Sequence, residues 1–135
     1  MRVSKALVIE TASKIADEQG LNSLSLKAVA EKLNVRTPSL YNHIESLDDL
    51  LREVAHKGMR SMNEQMAQAA IGKSGDTALK GVSVEYLNFI IEHPGVYETI
   101  QWATWHGTEE TAQIFGNYIK ILSTIISSYN FPSES

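Results

Sequence analysis

Along most of the chain apolar side chains return every three or four residues, a period that leaves little choice besides packed α-helices. Val8, Ala12, Ile15 and Ala16 form one stripe over residues 4–19, and Gly20 follows where a left-handed residue stops a helix. In residues 26–33, "LKAVAEKL", the face to be buried is Val29, Ala30 and Leu33. Leu47, Leu50, Leu51, Val54, Met59, Met62 and Met66 carry an apolar side from 47 to about 71, a helix of roughly 37 Å at 1.5 Å per residue. "GKSGD" breaks it. Residues 76–92 are apolar nearly all round, through Leu79, Val82, Val84, Tyr86, Leu87, Phe89, Ile90 and Ile91, which predicts a central, buried helix. A short sixth helix is expected from Pro94 through about Trp105, and a seventh after Gly107-Thr108. The main apolar side of the seventh is Phe115, Tyr118, Ile119, Leu122, Ile125, Ile126 and Tyr129, with Ile114 and Ile121 on a second side, and "FPSES" reads as a tail. No run of alternating β-branched residues suggests a sheet, so the expected class is all-α.

At 135 residues the chain can bury a core without staples, and having no cysteine it has neither disulfides nor a thiolate metal site. It has no apolar run of membrane-spanning length, and "MRVSKALVIETASK" lacks the apolar core of a signal peptide, so a cytoplasmic protein is expected. The net charge of −4 is unevenly spread. Residues 1–58 carry eight Lys/Arg against eight Asp/Glu, whereas from 59 onward the count is four against eight. Residues 25–43 carry Lys27, Lys32 and Arg36 against Glu31, a locally positive stretch on an acidic body.

That stretch leads into "NVRTPSLYNHIESLDDL", a short polar helix between two longer apolar ones. Asn34 tolerates the left-handed conformation, so the chain can turn there, and Val35 is placed to plug the angle. Thr37-Pro38 is a start signal, with the hydroxyl as cap and Pro at the first helical position. The helix expected over 38–43 turns Leu40 and Ile44 inward and leaves Ser39, Tyr41, Asn42 and His43 outward. Ser46 and the acids Asp48 and Asp49 suit the start of the next helix. Residues 26–44 therefore have the anatomy of a helix-turn-helix, which lays its second helix in a DNA major groove. By spacing alone, an ordinary helical corner with a solvated face fits equally well.

"LSLKAVAEKLNVRTPSLYNHIESLDDLL", preceded by a helix ending in Gly20, resembles the N-terminal DNA-binding domain of the Tet-repressor (TetR/AcrR) family. The likeness is close over residues 4–55, and "YLNFIIEHPGVYE" resembles the junction of the fifth and sixth helices of many members. The resemblance implies a three-helix DNA-binding domain over 1–45 and a helical ligand-binding and dimerisation body over 46–135. It implies a homodimeric transcriptional regulator, usually a repressor, released from double-stranded operator DNA by a small-molecule effector. Members usually end in two further helices that form most of the dimer interface, and this chain is expected to lack them. Carried over by position, Lys27 lies near base or phosphate. Thr37, Pro38 and Ser39 lie at the exposed start of the recognition helix, with Pro38 suited to a thymine methyl. Tyr41 and His43 match phosphate-facing residues, Asn42 suits adenine or phosphate, and Ser25 suits phosphate at a helix start. Leu47 stands where many members have a phosphate-binding Lys, and Asn34 where Gly is usual.

For the effector, the candidates are Trp102, Trp105 and His106 with Met62, Met66, Tyr86, Phe89 and Tyr118, all of which also suit plain core packing. His56, His93 and His106 make no recognisable metal motif with neighbouring acids, and the pair Glu109-Glu110 is accounted for by a helix N-terminus. Neither a nucleophile–base pair nor a phosphate-binding Gly loop is evident, so neither an enzyme nor a cofactor is expected. The alternative to a regulator is a helical interaction or ligand-carrying module without sequence-specific DNA binding.

Overall fold

The computed structural model describes residues 2–129, and among these there are seven α-helices and no strand. Helix α1 spans Lys5–Gln19, followed by a single 3₁₀ turn at Leu21–Ser23; α2 is Leu26–Leu33 and α3 is Thr37–Leu40. The body consists of α4 (Leu47–Ala70), α5 (Gly75–Glu92), α6 (Pro94–His106) and α7 (Glu109–Ser127). The tail expected at "FPSES" lies outside the described residues. No described helix is long and apolar enough to cross a membrane.

The starts of α1, α2 and α4 follow from local chemistry. Ser4, Ser25 and Ser46 each accept a backbone N–H through Oγ, from Leu7 (3.1 Å), Ala28 (3.0 Å) and Asp49 (3.1 Å) respectively. Gly20, at φ +90°, ends α1 as expected. The start of α3 differs from expectation. Arg36 holds the cap position without a side-chain bond, and Thr37 is the first helical residue rather than the cap. α3 is also shorter than 38–43: after Leu40 the backbone tightens into turns, with N–H groups of Tyr41, Asn42 and His43 donating three residues back.

One contiguous core runs from Val8 in α1 to Ile125 in α7. Its axis is α4, which packs against α1, α5, α6 and α7. The expected central helix, α5, is peripheral: it buries Ala78, Val82 and Phe89 but leaves Leu79, Val84, Leu87 and Ile91 exposed. Hydrophobicity all round shows how much surface needs cover, not which neighbour provides it. α7 is rotated from its predicted stripe for the same reason. It buries Thr111, Ile114 and Ile125, while Phe115, Ile119 and Ile126 face outward.

The first three helices also dock on the body at a point away from α4. A Cβ on Gly95 would lie 1.7 Å from the carbonyl oxygen of Ala16, so only glycine lets α6 approach the end of α1 this closely. Asp17 secures the junction. Its Oδ1 accepts the Val96 N–H (2.8 Å) and its Oδ2 is 2.7 Å from His93 Nδ1, capping a helix whose own cap residue, His93, makes no side-chain cap bond.

Candidate nucleic-acid interface

The corner between α2 and α3 is built from backbone outward. Asn34 adopts φ 56°, ψ 44°, and its N–H and that of Val35 donate to the last carbonyls of α2, Glu31 (3.1 Å) and Ala30 (3.0 Å). This turn sends the chain back across α2. Val35 is half-buried against the core, and Leu40 (0% exposed) and Ile44 (3%) pin the short helix beneath. A helix of one turn has almost no stability of its own, so these anchors hold its outer face in place.

That outer face is polar and available. Lys27, Pro38, Ser39, Tyr41 and Asn42 are exposed, Tyr41 at 55%, and Thr37 and His43 are half-exposed. Among the described residues no hydrogen bond or ion pair ties the side chains of Lys27, Thr37, Ser39, Tyr41, Asn42 or His43. Ser25 is half-buried with its Oγ engaged as the α2 cap. The structure thus gathers all eight residues onto the two-helix unit. In the sequence Arg36 is legible only as local charge; the structure sets it, exposed, at the entry to α3, where it adds a cation to the same corner.

The eight effector candidates do not converge. Met62, Tyr86 and Tyr118 share a cavity of about 140 Å³ with Met59, Tyr97 and Phe115. There Tyr86 and Tyr97 hydroxyls are 2.8 Å apart, and burial with that bond pushes the Tyr86 pKa well above its ordinary range. Phe89 lines a different cleft beside Gly58 and His93. Met66 is in the core (1% exposed), and Trp105 is 85% exposed. Trp102 stacks on the exposed ring of His106, centroids 4.7 Å apart. Aromatic content marked these positions in the sequence; helix rotation groups Met62, Tyr86 and Tyr118, puts Trp105 on an adjoining cavity that shares Met59 and Phe115, and sends Phe89 elsewhere.

Residues 8–54, which include the whole two-helix corner, match the family of bacterial regulatory proteins called tetR. The chain carries a tetR-family N-terminal domain. YobS of Bacillus subtilis (strain 168), an HTH-type transcriptional regulator, is 40% identical over 96 residues, covering 71% of this chain and 50% of YobS. DrrR1 of Streptomyces coeruleorubidus, an HTH-type transcriptional repressor, is 32% identical over 95 residues, covering 70% of this chain and 34% of DrrR1. The chain therefore spans half the length of YobS and 34% of DrrR1. The tetR-family fold extends beyond the head: a regulatory protein of that family from Rhodococcus RHA1 superposes with a TM-score of 0.77 at 16% identity, over 95% of this chain and 70% of that one.

Proposed function

We propose that this tetR-family chain is a DNA-binding transcriptional regulator, a repressor released from its operator by a small molecule. The observation that carries the reading is the exposed, untied polar face of residues 37–43, held on buried Leu40 and Ile44 within the segment that matches the family. Thr37, Pro38, Ser39 and Asn42 meet base edges or the adjoining backbone, and Tyr41, His43, Ser25 and Lys27 position the head on phosphates. Residues 1–45 act as the reading head and 46–135 as the regulatory body of a cytoplasmic homodimer. The exposed apolar residues of α5 and α7 favour a covered surface there.

The effector acts by binding the released state better than the DNA-competent one. A cavity of about 140 Å³ is small for a drug-sized ligand, so the Met62–Tyr86–Tyr118 cleft takes a small effector or widens as it binds. Motion of the body reaches the head by two routes, α4 and the Gly95–Ala16 contact. Electrophoretic mobility with DNA from upstream of the gene tests the reading. A discrete, sequence-selective complex is expected at physiological salt. Retention that is equal on all sequences and vanishes with added salt would leave the alternative, a helical interaction module.

A further inference from the structure

Among the described residues two buried side-chain polar atoms have no hydrogen-bond partner, Asn63 Oδ1 and Nδ1 of His56, the latter on the side of α4 that meets α7. The His56 side chain is only 3% exposed, and its Nε2 lies 2.6 Å from Thr111 Oγ1. The other ring nitrogen, Nδ1, is buried and has no hydrogen-bond partner. Buried polar atoms of this kind are rare because desolvation is uncompensated. Nδ1 lies 3.6 Å from a Glu110 carboxylate oxygen, and a second carboxylate is close to the ring. Glu53 sits one helical turn before His56 on α4, Glu110 comes from the first turn of α7, and ligand atoms of the three lie within 4.8 Å of one another.

The hydrogen bonding around the ring suits a ligand to a cation. With the Nε2–H donating to Thr111 Oγ1, Nδ1 is an acceptor 3.6 Å from Glu110 Oε2 with the Glu53 carboxylate nearby, an arrangement of acceptors that a positive ion between them would satisfy. In the opposite tautomer Thr111 Oγ1–H donates to Nε2 while accepting the Thr108 N–H. Nδ1–H then still stands 3.6 Å from Glu110 Oε2, too far for a good hydrogen bond, so either tautomer leaves Nδ1 for a further partner. Each carboxylate also keeps one oxygen for a cation. Arg60 takes Glu110 Oε1, and Lys5 stands 3.7 Å from Glu53 Oε2.

We propose that Glu53, His56 and Glu110 form a binding site for a divalent transition-metal ion of the zinc class. One imidazole with two carboxylates fits such an ion, whereas calcium and magnesium prefer all-oxygen shells. With metal–ligand bonds of about 2.0 Å, ligand atoms in a tetrahedral site stand roughly 3.3 Å apart; the 3.6 Å between His56 Nδ1 and Glu110 Oε2 is already close to that. Three protein ligands leave further positions to water or a small anion. The ion would join α4 to α7, and the proposal does not depend on whether the chain binds DNA.

Isothermal titration of the whole, metal-stripped chain with Zn²⁺ tests it, beside Glu53→Gln, Glu110→Gln and His56→Gln. The expected result is one Zn²⁺ per chain and a raised Tm, with binding weakened at least about tenfold in each variant. Because His56 is buried, the two glutamate variants, checked for unchanged helical circular dichroism, decide the matter if His56→Gln fails to fold. A His93→Gln control should bind as the parent does. No stoichiometric binding by the parent chain, or binding of undiminished affinity in both glutamate variants, would overturn the assignment.

Discussion

The corner of α2 and α3 and the outer side of α5 and α7 are both exposed but leave opposite chemistry in view. On the corner the outward residues are Lys27, Ser39, Tyr41 and Asn42, free of internal bonds, over the fully buried Leu40. On the body they are Leu87, Ile91, Phe115 and Ile126, each more than half exposed. A polar face costs nothing in water and suits a charged, hydrogen-bonding partner such as DNA. An apolar face of this kind favours cover by another surface. Beneath both runs the same core, so the difference lies in what each region presents and not in how it is held.

The strongest way to break that account is Leu40→Ala. It removes a side chain with no exposure, and the expected loss is about 2–5 kcal/mol. Because the core is contiguous, thermal unfolding should shift as one transition; two separated melts would show that head and body are independent units.

Gly95→Ala comes next, at about 1–3 kcal/mol or more, because the new methyl meets backbone and cannot be relieved by a rotamer change. It should also change DNA affinity if the α1–α6 contact couples the regions. A variant of unchanged Tm would mean that the two helices separate easily.

Ser25→Ala is expected to cost about 1 kcal/mol through the lost α2 cap, and chemical denaturation measures it. A change within error would mean that another acceptor takes the Ala28 N–H.

The smallest effect on stability, within about 0.5 kcal/mol, is expected from Tyr41→Phe at an exposed position. Its signature is a similar loss of affinity across all operator sequences, whereas Thr37→Ala should reorder them. Uniform losses from both would refute the division between phosphate and base contacts.

Much of the head was legible in the sequence because its signals are local. The cap at Ser46, the left-handed Asn34 and the inward pair Leu40 and Ile44 all act within about five residues of the positions that reveal them, whereas the caps at Ser4 and Ser25 came only with the structure. The misjudged start of α3 shows the limit: Thr37 has the chemistry of a cap, yet the tightened turn takes it into the helix and gives the cap position to Arg36. The body was less legible. Periodicity located α5 and α7, but their burial depends on which side α4 occupies, and aromatic content did not reveal that Phe89 lines a different cleft from Trp105 and Tyr118.

By itself, then, the sequence determined that the chain is a series of helices, where most of them begin and stop, and that a polar turn-and-helix projects from an apolar base. These depend on period, capping and backbone preference, which are properties of neighbouring residues. Only the tertiary structure decided that α4 is the axis, that Asp17 caps a helix 79 residues away at Val96, and that His56 meets Thr111 across 55 residues with Glu53 and Glu110 alongside. Such pairings depend on how whole helices rotate to fill a shared core, and no local pattern in the chain carries that information.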